Sequence, residues 1–238
     1  MTTAPPPPPY YQPRPKPYDI GEALGWGWRK FLEHKTVFIV GMLPMLVVII
    51  GFYTAYFVLY LDLFLNGDDM TDAEAGDLFM WVGVAAGVLL LLMVPISVLQ
   101  ANLIRVALVV ADGGRPTLSM LYSTKRVGRI LVTTITLGAA TFVGMLLCYL
   151  PGLAFAAFAF YTLPFVLDQD MRPIQAIKAS FALVRSHLGI SLLTVLVVSI
   201  IGSLGTYACV IGIVASVPIA LLAQVYCYRA LILGTVRP

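Results

Sequence analysis

From Ile130 to Leu167 the sequence contains no charged side chain, and from Leu188 to Gly234 it contains only Arg229. No water-soluble fold of this size can hide such runs. A hydrocarbon layer about 30 Å thick is crossed by about 20 helical residues at about 1.5 Å each. Each run is therefore too long for one crossing and suits two joined by a turn. The rest of the composition agrees: 60% of the 238 residues are hydrophobic and 11% are charged, and mean hydropathy is +0.91. Lipid is the expected solvent, and the chain is expected to be all-α, because every backbone polar group in hydrocarbon must be satisfied within its own helix.

The same ruler predicts six transmembrane helices, at about 36–61, 78–104, 130–150, 152–167, 188–210 and 213–234, with turns placed at Pro151 and Gly152 and near Gly212. A re-entrant course for the last one or two hairpins satisfies the same charges. All fifteen Lys and Arg residues then fall on one side. That side also holds Asp19, Glu22, Glu33, Asp112, Asp168 and Asp170, for a net +9. The opposite side holds Asp62, Asp68, Asp69, Asp72, Glu74 and Asp77, for −6, and the two sum to the +3 of the whole chain. Positive charge stays inside, so the expected location is the cytoplasmic (inner) membrane of a bacterium, multi-pass, with both termini cytoplasmic. The basic face suits anionic lipid headgroups, and no soluble basic domain suggests nucleic acid.

Two regions are expected: residues 1–17, a disordered proline-rich cytoplasmic tail (Pro5 to Pro9, then Pro13, Pro15 and Pro17), and residues 18–238, a single membrane domain. Within that domain the pattern repeats three times as three quasi-repeated hairpins, each preceded by a cytoplasmic interfacial amphipathic helix. These surface helices are predicted to begin at Asp19, Pro116 and Pro173. In the third, Ile174, Ile177, Phe181, Val184 and Leu188 share one face. In the first, Trp26 and Trp28 suit the headgroup level. The return spans carry helix-kinking prolines, Pro95, Pro164 and Pro218, followed by Gln100 with Arg105 and by Gln224 with Arg229 at a spacing of five in both copies.

Chemistry-bearing residues are sparse. No nucleophile has a base at a useful spacing, so no catalytic residue is predicted, and no cofactor or metal. His34 and His187 end surface helices beside cations. Cys148, Cys209 and Cys227 lie in apolar stretches; the first two fall near outer hairpin ends, either disulfide-linked or separate small apolar side chains. The outer acids lack the spacing of a calcium loop. Gly83 with Gly87 and Ala140 with Gly144 permit close helix contact, within one chain or between copies in a homo-oligomer. The sharpest residue-level expectation is a lipid-phosphate site formed by Arg105, Arg229, Gln100 and Gln224.

Pro151 and Gly152, then Pro164, Phe165, Val166, Leu167 and Asp168, then Ala176, Lys178, Ser180, Leu183, Val184 and Arg185 form a pattern that resembles a poorly characterised bacterial superfamily of six-span proteins. That superfamily is related to the membrane domain of some glycerophosphoryl diester phosphodiesterases. The proline-rich tail followed by Gly25, Trp26 and Phe31 resembles its stand-alone members. In the fused proteins a soluble domain does the catalysis, and this sequence shows no such domain. The resemblance therefore implies a lipid-facing or partner-holding role. The expected function is non-catalytic, an accessory or scaffold protein acting through lipid or a membrane-protein partner, with the tail free to recruit a cytoplasmic module. The alternative is a permease or flippase for a lipid or other amphiphile.

Overall fold

A computed structural model describes residues 19–66, 72–124, 126–147, 149–207 and 209–233, and every regular element among them is helical. In chain order these are α1 (Ile20–Glu33), α2 (Lys35–Asn66), α3 (Asp72–Ala111), α4 (Val127–Leu147), α5 (Tyr149–Phe158), α6 (Thr162–Asp168), α7 (Pro173–Ser186), α8 (Leu188–Tyr207) and α9 (Cys209–Leu233). Five stretches are long and apolar enough to cross a membrane: Lys35–Val58, Val94–Ala111, Val127–Leu147, Tyr149–Asp168 and Gly212–Ile232. A sixth is added if α7 and α8, bent by 110° at His187, are counted as one broken span. This is a membrane protein.

The helices sort into two layers. In α9 78% of the spanning stretch is buried inside the protein, in α3 61%, and in α5 with α6 44%, whereas α2 has 18% and α4 only 11%. The return helices thus pack at the centre, and α2, α4 and α8 lie outside, with Leu192, Leu193, Leu196 and Ile200 of α8 exposed. Polar side chains explain the division. Asn102, Thr162, Gln224 and Arg229 are all buried, and a polar group facing lipid is costly, so the helices that carry such groups turn inward. Three hydroxyls of the outer helices are satisfied within their own helix. Thr133 and Thr136 in α4 and Thr194 in α8 each donate to the carbonyl four residues back, at 2.7 Å, as hydroxyls in apolar helices do.

Several sequence expectations move. Both hairpin reversals come earlier than predicted, between Gly144 and Gly152 and between Gly205 and Gly212, the pairs that approach each other across each hairpin. The glycines sit at close approach instead of at the reversal. A Cβ on Gly144 would lie 2.8 Å from Gly152 Cα, and one on Gly205 would run into Ser216 Oγ and come within 2.9 Å of the Gly212 carbonyl. The acidic segment from Asp62 to Asp77 is largely helix, since α2 runs to Asn66 and α3 starts at Asp72; Asp68 and Asp69 lie outside the described residues, as do the side chains of Cys148 and Cys209. Residues 1–17 also lie outside them.

Pro95 and Pro218 are inside helices as expected, and so is Pro44 in α2, which the spacing did not single out. Pro164 is a correction. The chain breaks before it, at 159–161, and Pro164 occupies the first turn of α6, where its missing N–H costs nothing. Ser180 of α7 secures that break, accepting from Tyr161 N at 3.1 Å and donating to Phe158 O at 2.7 Å.

Of the three helices predicted to begin at Asp19, Pro116 and Pro173, two form. Asp19 caps α1 through Gly21 N at 2.9 Å, and Pro173 opens α7. The one expected from Pro116 is reduced to a single 3₁₀ turn, Leu118–Met120. There the carbonyls of Leu121 and Ser123 accept from the Asn102 side chain, which holds the segment in a non-helical course. A different set of α7 residues, only Val184 shared with the predicted apolar face, packs inward. Ala176, Ser180, Leu183 and Val184 are buried, and Ile174 and Leu188 remain exposed. Trp26 is not a headgroup anchor, being buried against Tyr226 of α9 with ring centroids 5.4 Å apart; Trp28 is exposed.

Candidate functional site

The polar groups of the three inner helices meet at one end of the bundle, here called the basic end. Arg229, in the penultimate turn of α9, has a side chain 10% exposed. It reaches two carboxylates. Its Nη1 donates to Asp168 Oδ2 at 2.9 Å and its Nη2 lies 2.8 Å from Asp168 Oδ1, a two-pronged fork. Nη2 also donates to Asp112 Oδ2 at 2.8 Å. Tyr228, fully buried, donates its hydroxyl to Asp168 Oδ2 at 3.0 Å. Asp112 follows α3 and Asp168 ends α6, so one guanidinium ties together the ends of all three inner helices. Bidentate Arg–carboxylate pairing is the strongest side-chain contact available for this purpose.

A second cluster lies beside it. Arg126 Nε is 3.0 Å from Asp170 Oδ1, Arg126 Nη1 donates to Leu167 O at 3.1 Å, and Arg129 Nη1 pairs with Asp170 Oδ1 and donates to Asp170 O at 2.8 Å. Arg105 lies within electrostatic reach of Arg126 and donates to Asn102 Oδ1 at 3.0 Å. Asn102 in turn donates to Leu121 O at 2.8 Å and Ser123 O at 3.0 Å. Asn102→Leu should therefore lower the unfolding free energy by about 1–3 kcal/mol, because two buried carbonyl contacts vanish together. Thermal unfolding in a fixed detergent checks this, with Asn102→Asp showing whether shape alone rescues it.

The four residues expected to hold a lipid phosphate are not brought together. Arg229 is committed to Asp112 and Asp168, and Gln224 Nε2 donates to Phe160 O at 2.7 Å, bracing the α5–α6 break. Gln100 faces outward into an open groove of about 440 Å³ with Thr134, Thr141 and Leu163. Only Arg105 stays at the edge of a basic cluster. Spacing within α3 and α9 could not show this, because the neutralising acids come from other helices. Asp112, Asp168, Asp170, Asn102 and Tyr228 were missed as site residues. The signal for Asp168 and Asp170 was their position as the first acids after a long charge-free run.

Thirty per cent of aligned positions are identical to the uncharacterized protein Rv2560 of Mycobacterium tuberculosis, over 93% of this chain and 72% of the relative. The same figures hold for the uncharacterized protein Mb2590 of Mycobacterium bovis. The chain belongs to the Rv2560 family. No family model matches it and no solved structure matches it. The resemblance to the phosphodiesterase membrane domain accordingly rests on the residues quoted above.

Proposed function

We propose that this member of the Rv2560 family is a non-catalytic accessory or scaffold protein of the bacterial cytoplasmic membrane, which acts by engaging lipid or a partner membrane protein. The observation that carries the proposal is the two-layer arrangement. The central helices spend their polar groups on one another, with Arg229 closing the basic end, and the centre is filled by Tyr161, Tyr228, Leu103 and Leu222, all fully buried. The outer helices α2 and α4 leave most of their surface uncovered. A protein built this way offers faces to its surroundings in preference to a path through its middle.

The finer topology is part of the same reading. Six spans form three hairpin units, with the basic end and both termini in the cytoplasm, where the positive-inside rule places them. Units one and three support the repeat. Both α1 and α7 are 14 residues long, both end at a histidine, His34 or His187, and in both an outer span starts on the next residue. The 110° bend after α7 suits a helix lying along the interface before a span that crosses it. The resemblance to the phosphodiesterase membrane domain fits as a lipid-facing role without its soluble enzyme, and the proline-rich tail would recruit a cytoplasmic module.

The permease or flippase reading has one feature in its favour, the groove bearing Gln100, Thr134 and Thr141 on an otherwise apolar surface. Extraction in native lipid particles followed by mass spectrometry of protein and lipid separates the two. A stoichiometric protein partner or an enriched anionic lipid is expected. Transport of a labelled lipid across liposomes by the purified protein alone would overturn the scaffold reading.

A further inference from the structure

Among the described residues two non-glycine residues have positive φ, Arg126 at 65° and Asp170 at 55°. They are paired with each other, Nε to Oδ1 at 3.0 Å. A left-handed backbone disfavours any side chain with a Cβ, arginine more than aspartate, and it persists only where the surroundings hold it. Here each strained residue holds the other. Arg126 precedes α4 and Asp170 follows α6, so the ion pair fastens the loop between α3 and α4 to the loop between α6 and α7. Asp170 carries one negative charge, yet it serves both Arg126 and Arg129. The side chains of Arg126, Arg129 and Asp170 are 40%, 33% and 54% exposed, so the cluster is open to a ligand from outside. Two guanidinium groups facing one carboxylate leave an excess of positive charge.

We propose that Arg126 and Arg129 form a binding site for a phosphate monoester or diester group, which Asp170 occupies as a tethered stand-in in the unliganded protein. An arriving phosphate offers more acceptor oxygens than the carboxylate and a geometry that matches guanidinium forks. It displaces Asp170, and the two left-handed residues are then free to relax. Phosphate capture is thereby coupled to unfastening of the two loops. The site rests on the proposed placement of the basic end in the cytoplasm, where an inner-leaflet headgroup and a free phosphate supply the same chemistry.

The test uses the full chain in detergent with mixed micelles of phosphatidylglycerol and phosphatidylcholine, counting bound lipid by native mass spectrometry. Asp170→Asn removes the competing charge and keeps a residue that accepts positive φ, so it should bind phosphatidylglycerol about tenfold more tightly than the wild type. Misfolding does not mimic a gain. Glu33→Gln adds the same net charge away from the cluster and should give no gain, and Asp170→Asn with Arg126→Gln and Arg129→Gln should fall below the wild type. Inorganic phosphate that displaces the lipid from Asp170→Asn marks free phosphate as the ligand; phosphate that does not displace it marks the lipid headgroup. An unchanged affinity in Asp170→Asn, or an equal gain from Glu33→Gln, overturns the site while leaving lipid engagement intact. Equal retention of both lipids by every variant overturns the site and the lipid reading together.

Discussion

Replacing Arg229 with Met should lower the unfolding free energy by about 3–5 kcal/mol, the loss characteristic of a buried ion pair stripped of one partner. The cause is what remains behind. Asp168, with its side chain 15% exposed, loses the two-pronged contact and keeps only the Tyr228 hydroxyl. Asp112, 54% exposed, turns back to solvent at little cost. Removing the orphaned charge should therefore rescue much of the loss, so that Arg229→Met with Asp168→Leu is more stable than Arg229→Met alone. Thermal unfolding of all four members of this cycle in one detergent gives the coupling. A loss for Arg229→Met no larger than that of the exposed control Arg185→Met would show that Arg229 does not hold the inner helices together.

The second large effect is expected at Trp26. Its ring is 2% exposed and packs on Tyr226, with Ala23 and Phe31 of the same helix also buried. Trp26→Ala should cost about 3 kcal/mol or more through the cavity it leaves between α1 and α9. Trp28, 53% exposed two residues on, should cost less than about 1 kcal/mol when replaced by Ala. A headgroup anchor would give the reverse order, with Trp28→Ala the more damaging and the loss dependent on lipid. Comparing the two variants in detergent and in lipid nanodiscs reads both quantities.

The Trp26 and Arg229 cases show why part of the site was not legible. The two tryptophans lie two residues apart in α1, and it is the approach of α9 from far along the chain that buries Trp26. Arg229 read as a cation at a membrane boundary because its local neighbours are apolar. Its acids lie 61 and 117 residues away, and no local pattern encodes that. The failure of the Pro116 helix has the same origin, since Asn102, 19 and 21 residues before its acceptors, holds their carbonyls.

The hairpin turns were displaced for a more local reason. Glycine marks both a reversal and a close approach, and Gly144 with Gly152 and Gly205 with Gly212 serve the second purpose. Pro164 was likewise ambiguous, because a proline that kinks a helix and one that starts a helix look alike until the preceding break at 159–161 is seen.

By itself the sequence determined that the chain is helical and membrane-embedded. Hydropathy and length act residue by residue, and a hydrocarbon solvent leaves an apolar run little choice but helix. Charge distribution set the expected orientation in the same additive way. The tertiary structure alone decided which helices stand inside, which cation meets which acid, and which tryptophan is buried. Those outcomes depend on pairings between distant segments, where one partner's contribution has no meaning until the other is in place.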